Sequence, residues 1–174
     1  QIDTANVSRL GLAWYGEFDT NRGQQATPLV IDGVLYTSTA WSKVYAYDAA
    51  SGKQLWFFDP EVPGKKAPDG CCDVVNRGVA AWNGKIYVGA YDGRLIALDA
   101  KTGKLIWEFD PKVPRKTGVK ACCDSVNRGV ALWEGRVYFG ALDGRLISLD
   151  AKTGKQVWST VTADQSKPYT ITGA

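Results

Sequence analysis

With 174 residues the chain is long enough for one domain with a sizeable core. Its formal net charge of +3 makes no case for nucleic acid or an acidic partner, and no apolar run approaches the roughly 18 residues of a membrane-crossing helix. Histidine and methionine are both missing, which excludes a C-x-x-C-H haem attachment and His-ligated zinc. The 19 Gly, 7 Trp and 8 Tyr, set among many Val, Ile and Thr, suit short strands joined by tight turns. No signal peptide is visible at Gln1, so the start reads as a mature or trimmed form.

Taken along the chain, residues 6–18 read as an outer strand ahead of a first repeat unit at about 26–59. That unit is a weak copy of the two behind it. Residues 60–110 and 111–161 align without a gap as 51-residue units, with about 30 of the 51 positions identical. The long matches are CCD-x-VNRGVA, GA-x-DGRLI and LDAKTGK. Gly33, Gly84 and Gly135 fall in register across all three units, as do Trp56, Trp107 and Trp158, and Asp48, Asp99 and Asp150.

In the second unit, 78–82 is expected as a first strand and Asn83-Gly84 as a hairpin turn. Residues 85–90, 94–99 and 105–109 follow as strands, divided by Asp92-Gly93 and by the turn at 101–104. The third unit repeats this plan with Glu134-Gly135, Asp143-Gly144 and 152–155, and residues 167–174 read as a last inner strand. One four-stranded sheet cannot bury both of its faces, whereas several stacked radially can. The expected fold is therefore all-β: a β-propeller segment spanning 1–174, with three four-stranded antiparallel W-shaped blades at about 26–59, 77–110 and 128–161. Solenoid repeats are usually shorter, and a sandwich would not repeat itself so closely. The recurring tryptophans then act as staples between blades, each burying about 150–250 Å².

The four cysteines form two adjacent pairs, Cys71-Cys72 and Cys122-Cys123. Adjacent cysteines are unlike the C-x-x-C of metal knuckles. They are either two buried thiol pairs or two vicinal disulfides in an oxidising compartment.

The run A-x-D-A-x-[ST]-G-K-x-x-W occurs at 46–56 and 97–107, and at 148–158 with Ser148 for the first alanine. It resembles the tryptophan docking motif of dehydrogenases that use pyrroloquinoline quinone (PQQ). The segment CCDVVNRG at 71–78 resembles the vicinal-cysteine motif of the quinoprotein and quinohaemoprotein alcohol dehydrogenases. Residues 6–27 and YTITGA at 169–174 are similar to further stretches of that family. The resemblance implies PQQ held on the propeller axis against a vicinal disulfide, and a periplasmic or secreted location.

By the same resemblance, Arg77 and Arg128 match an arginine that hydrogen-bonds the quinone, and Thr172 matches a threonine that contacts a PQQ carboxylate. Gln25 stands where the family usually has a glutamate. Read from the residues alone, Arg77 and Arg128 could instead pair with Asp73 and Asp124 and hold a loop, and Thr172 could be a plain strand residue. The lysines at 65–66 and 112–116 read as solvated. No catalytic role falls to Asp73, Asp92, Asp124 or Asp143.

Three departures shape the functional reading. The enzymes of the family are roughly three times as long and close eight blades. Their calcium ligands and catalytic base have no counterpart here. The cysteine-bearing blade, normally single, is doubled, as in a natural or engineered duplication, with an engineered or shuffled array the preferred origin. Three blades cannot close a ring, so a homo-oligomer, with a dimer favoured, or other chains are expected to complete it. The chain thus reads as the PQQ-binding portion of an alcohol dehydrogenase, incomplete as an isolated chain, without haem and with PQQ and a small alcohol as partners. The alternative is a duplicated or engineered non-catalytic scaffold that self-assembles into a ring.

Overall fold

The computed structural model describes residues 2–69, 73–114, 117 and 129–171. The first sheet runs β1 (Leu29–Ile31), β2 (Val34–Ser38), β3 (Val44–Asp48) and β4 (Gln54–Phe58). The second runs β5 (Ala80–Trp82), β6 (Lys85–Gly89), β7 (Leu95–Asp99) and β8 (Leu105–Phe109). The third runs β9 (Ala131–Trp133), β10 (Arg136–Gly140), β11 (Arg145–Asp150) and β12 (Gln156–Val161). Each sheet pairs its strands antiparallel in sequence order, which is the expected four-stranded blade.

Local chemistry sets this plan. The first hairpin of each blade turns on two left-handed residues: Asp32-Gly33, Asn83-Gly84 and Glu134-Gly135. That is the turn whose twist matches the flanking strands. The last hairpin is held by an aspartate that caps it. Asp99 Oδ1 accepts from the amides of Lys101 and Thr102 and from the Thr102 hydroxyl. Asp150 does the same for Lys152 and Thr153.

Period-two alternation sends successive side chains of each blade into two different cores. Ile86, Val88, Ile96 and Leu98 face Tyr36, Val44, Ala46 and Trp56 of the first blade. Their neighbours Tyr87, Leu95 and Ala97, with Trp107, face Val137, Phe139, Ile147 and Leu149 of the third. The tryptophans reach across these seams. Trp56 Nε1 donates to the Ala100 carbonyl at 2.9 Å, and Trp107 Nε1 to that of Ala151 at 3.2 Å. Tyr36 and Tyr87 donate their hydroxyls to the same two carbonyls.

The two ends differ from expectation. Residues 6–18 join no ladder: Val7–Arg9 is a single 3-10 turn, and the stretch after it is extended without strand partners. Trp14 nevertheless docks on the first blade as Trp56 docks on the second, its Nε1 donating to the Ala49 carbonyl at 3.0 Å. A side-chain staple needs only the blade it covers, whereas an outer strand also needs a third strand inside it. Residues 165–168 form a turn, 169–171 are irregular, and the rest of the expected inner strand lies outside the described residues.

Burial carries a pH consequence. It pushes the Tyr87 hydroxyl up to about 12, with the Asp150 carboxylate adding a smaller push. Burial also raises Tyr36 and Tyr47 above the usual tyrosine value. The folded state thus keeps phenolic protons that the unfolded chain releases near pH 10. This stabilisation is complete below about pH 10 and is lost as pH rises toward 12. The urea midpoint should fall steadily over that interval, in step with phenolate absorbance. A midpoint that stays level to pH 12 would contradict this account.

Candidate functional site

The inner strands converge on a cavity of about 220 Å³ lined by Thr27, Asn76, Arg77, Gly78, Tyr87 and Gly129, among others. Thr27 and Gly78 occupy the same place in adjacent repeats, and they meet there as a parallel bridge. The Thr27 amide donates to the Arg77 carbonyl at 3.4 Å. Only glycine suits position 78: its φ is +129°, and a Cβ would lie 3.2 Å from the Thr27 carbonyl oxygen.

The segment that carries Arg77 is tied down on both sides. Val74 is fully buried, and its carbonyl accepts from the Trp41 amide at 2.9 Å. Asn76 sits at the centre of a polar knot. Its Oδ1 accepts from Ser38 Oγ at 2.6 Å and from the Gly78 amide at 3.1 Å. Its Nδ2 donates to the Gly89 carbonyl at 2.8 Å and to Ser42 Oγ at 3.2 Å. Ser42 Oγ also accepts from the Tyr91 amide. Ser38 and Ser42 are buried, so these bonds act out of water, where a lost partner is costly.

Trp41 and Ser42 both hold left-handed backbone, at φ 64° and 60°. Such conformations cost of order 1–3 kcal/mol and persist where surroundings enforce them. Arg22 lies over the Trp41 ring at 5.6 Å and pairs with Asp73. A second, more polar cavity of about 470 Å³ opens beside them, between Asp19, Arg22, Trp41 and Lys43. Its edge is fixed by Lys43, which bonds Asp19 at 2.6 Å. The Lys43 bond and the Tyr45 hydroxyl together hold the Asp19 carboxyl below its ordinary range.

The expected site residues are distributed as follows. Arg77 lines the 220 Å³ cavity, exposed and without an ion-pair partner among the described residues. Its alternative partner, Asp73, is taken by Arg22 instead. Gln25 is exposed two residues before Thr27 and does not line the cavity. Cys71, Cys72, Cys122, Cys123, Arg128 and Thr172 lie outside the described residues. Asn76, Arg22, Ser38 and Ser42 were not anticipated. For Asn76 the signal was present, since it stands inside CCDVVNRG.

Comparison with known proteins decides the family. A PQQ-repeat family model, described as outer membrane protein assembly factor BamB, matches residues 40–173. The quinohemoprotein alcohol dehydrogenase ADH IIB of Pseudomonas putida is 52% identical over 172 residues, covering 97% of this chain and 25% of the enzyme. The dehydrogenase subunit of the quinone alcohol dehydrogenase of Komagataeibacter europaeus is 51% identical, covering 96% of this chain and 23% of the subunit. The crystal structure of the quinohemoprotein alcohol dehydrogenase of Comamonas testosteroni superposes with a TM-score of 0.79 at 40% identity, over 92% of this chain and 24% of that one. The chain belongs to the PQQ-dependent alcohol dehydrogenase family.

This quinoprotein segment spans about a quarter of the length of the curated relatives it matches. The cavity beside Arg77, at about 220 Å³, is smaller than the about 300–1,000 Å³ of a complete small-molecule site. Among the described residues, no three of Cys, Asp or Glu gather as metal ligands would. Among the described residues, no helix is long and apolar enough to cross a membrane.

Proposed function

We propose that the chain is the PQQ-binding portion of a quinoprotein alcohol dehydrogenase, incomplete as an isolated chain. The observation that carries this reading is Arg77. Its side chain is exposed at the cavity and has no ion-pair partner among the described residues, while the backbone on either side of it is fixed by Asn76, Thr27 and Gly78. A planar fork held in that way suits the carboxylates and quinone oxygens of PQQ. Arg128 is its register copy, and the cysteine pairs 71-72 and 122-123 would present a flat, non-nucleophilic face if oxidised. Gln25 and Thr172 complete the proposed contact set.

When bound, PQQ supplies an electrophilic quinone able to accept hydride from an alcohol. The residues described here bind and orient; none stands as a base. The described residues also offer no cation cage, so no step is assigned to calcium. A periplasmic setting is consistent with disulfide chemistry. We further propose that a second copy, or other chains, completes the ring. The support is β12, which is exposed along its whole length, with Val157, Trp158 and Val161 open to solvent. Relatedness of about 50% that includes the cysteine-bearing segments favours this reading over a bare scaffold.

The test is titration of the full chain with PQQ and calcium, followed by quinone absorbance and tryptophan quenching. Saturable binding is expected, weakened at least tenfold in Arg77→Ala. No saturable binding overturns the proposal. Light scattering on the same sample gives the number of chains in the ring.

A further inference from the structure

We propose that the open face of the third blade docks on the first blade of a second copy of this chain, and that Trp14 holds that position shut from within. This deepens, and rests on, the reading that a second copy completes the ring.

Four tryptophans contend for three slots. A slot is the last hairpin of a blade, where a left-handed glycine leaves room for an indole and an alanine carbonyl accepts its Nε1 proton. Trp56 fills the slot of Ala100 and Gly103, and Trp107 that of Ala151 and Gly154. Trp14 fills the slot of Ala49 and Gly52 in the same way. A Cβ on any of these three glycines would lie 2.6 Å from the indole it faces. Trp158 is left over. Its ring lies 6.0 Å from that of Tyr138, as Trp56 lies 5.9 Å from Tyr36 and Trp107 5.8 Å from Tyr87. The third blade thus carries the same Tyr–Trp plug with its tryptophan exposed. The slot that no blade serves is the one on the first blade.

The two faces that would meet depart together from the seams inside the chain. In the first of those seams, Ala46 and Phe58 pack with Val88 and Ile96. On the third blade the positions of Ala46 and Phe58 hold Ser148 and Thr160; on the first blade the positions of Val88 and Ile96 hold Thr37 and Tyr45. Each face gains hydroxyls where the other does. The Ser148 hydroxyl is buried and has no hydrogen-bond partner among the described residues, a cost that a polar neighbour removes.

The strap that carries Trp14 is held by few groups. Phe18 packs on Tyr45 at 5.0 Å, and Asp19 bonds Lys43 and Tyr45. Trp14 and Phe18 are only half-buried, and residues 10–13 are exposed. A whole blade face buries more apolar surface than these two rings. The strap has the advantage of its tether, which gives it an effective concentration of roughly millimolar. At micromolar chain concentrations the tethered Trp14 keeps the slot; once it is weakened, Trp158 of a second copy takes it.

The test is light scattering on the full chain over a dilution series. Trp14→Ala should lower the concentration at which copies associate at least tenfold. Adding Trp158→Ala to it should return the protein to single chains, whereas association through a surface exposed by damage would persist. Should Trp14→Ala fail to fold, Phe18→Ala loosens the strap and keeps the indole; about a threefold lower association concentration is then expected. Single chains throughout in both strap variants, or association that survives Trp158→Ala, overturn this inference and leave closure by other chains standing. A parent chain that associates as readily as Trp14→Ala overturns the role of Trp14 and leaves closure by a second copy standing. None of these outcomes bears on PQQ binding, which the absorbance titration decides separately.

Discussion

Trp107→Ala is expected to destabilise the fold by about 3–5 kcal/mol, the usual cost of truncating a buried aromatic. Trp158→Ala, at the same position of the next repeat, is expected to cost about 1 kcal/mol or less. The sequence around the two is closely similar, so the difference arises from the neighbour. Trp107 is 7% exposed and packs between the second and third blades, whereas Trp158 is 39% exposed on an outer blade with nothing beyond it among the described residues. The hydrogen bond matters less than the ring. Tyr87 already donates to the Ala151 carbonyl that Trp107 uses, so the carbonyl keeps a partner after truncation. Urea midpoints of the two variants decide the matter. Equal losses would mean either that Trp158 is covered in solution, as ring closure by a second copy would cause, or that the seam is not where the energy lies. Repeating the measurement at a concentration where light scattering finds single chains separates these.

What was legible in the sequence was whatever the repeat writes locally. Asn83-Gly84 and Glu134-Gly135 specify a turn by backbone conformation alone, and the Asp99 and Asp150 caps need only residues two and three positions away. Blade order and alternation followed from these. Contacts made where the repeat breaks were not legible. Trp14 was absorbed into an expected strand, since the register of motif and tryptophan begins only with the first full blade. Ser38 and Ser42 fall where the first blade departs from the GA-x-DGRLI pattern of the other two, so nothing in the repeat marked them. Asp73 was matched with Arg77 because they are near in sequence, but the fold gives it to Arg22, 51 positions away. A repeat protein conceals its long-range pairs at one period's separation, and these become visible only once adjacent units are known to lie side by side.

The close approach that this stacking demands leads to the second large expected effect. Gly103→Ala should cost about 2–5 kcal/mol. Gly103 holds φ at +68°, which an L-residue adopts at a cost of about 1–2 kcal/mol. The added Cβ would also lie 2.6 Å from the Trp56 ring, and overpacking of that kind costs about 1–3 kcal/mol. The ring cannot swing aside freely: its Nε1 is bonded to Ala100, and Tyr36 packs on it with centroids 5.9 Å apart. Gly84→Ala separates the two contributions, because Gly84 has φ +73° but nothing within 4 Å of the new atom. It should show the backbone part alone, about 1–2 kcal/mol. The comparison is made by urea unfolding of both variants beside the parent chain. If Gly84→Ala and Gly103→Ala cost the same, the seam has room for a methyl group and glycine is there for its backbone alone. If Gly103→Ala costs clearly more, glycine is needed at that position because the tryptophan of the preceding blade occupies the space where a side chain would stand.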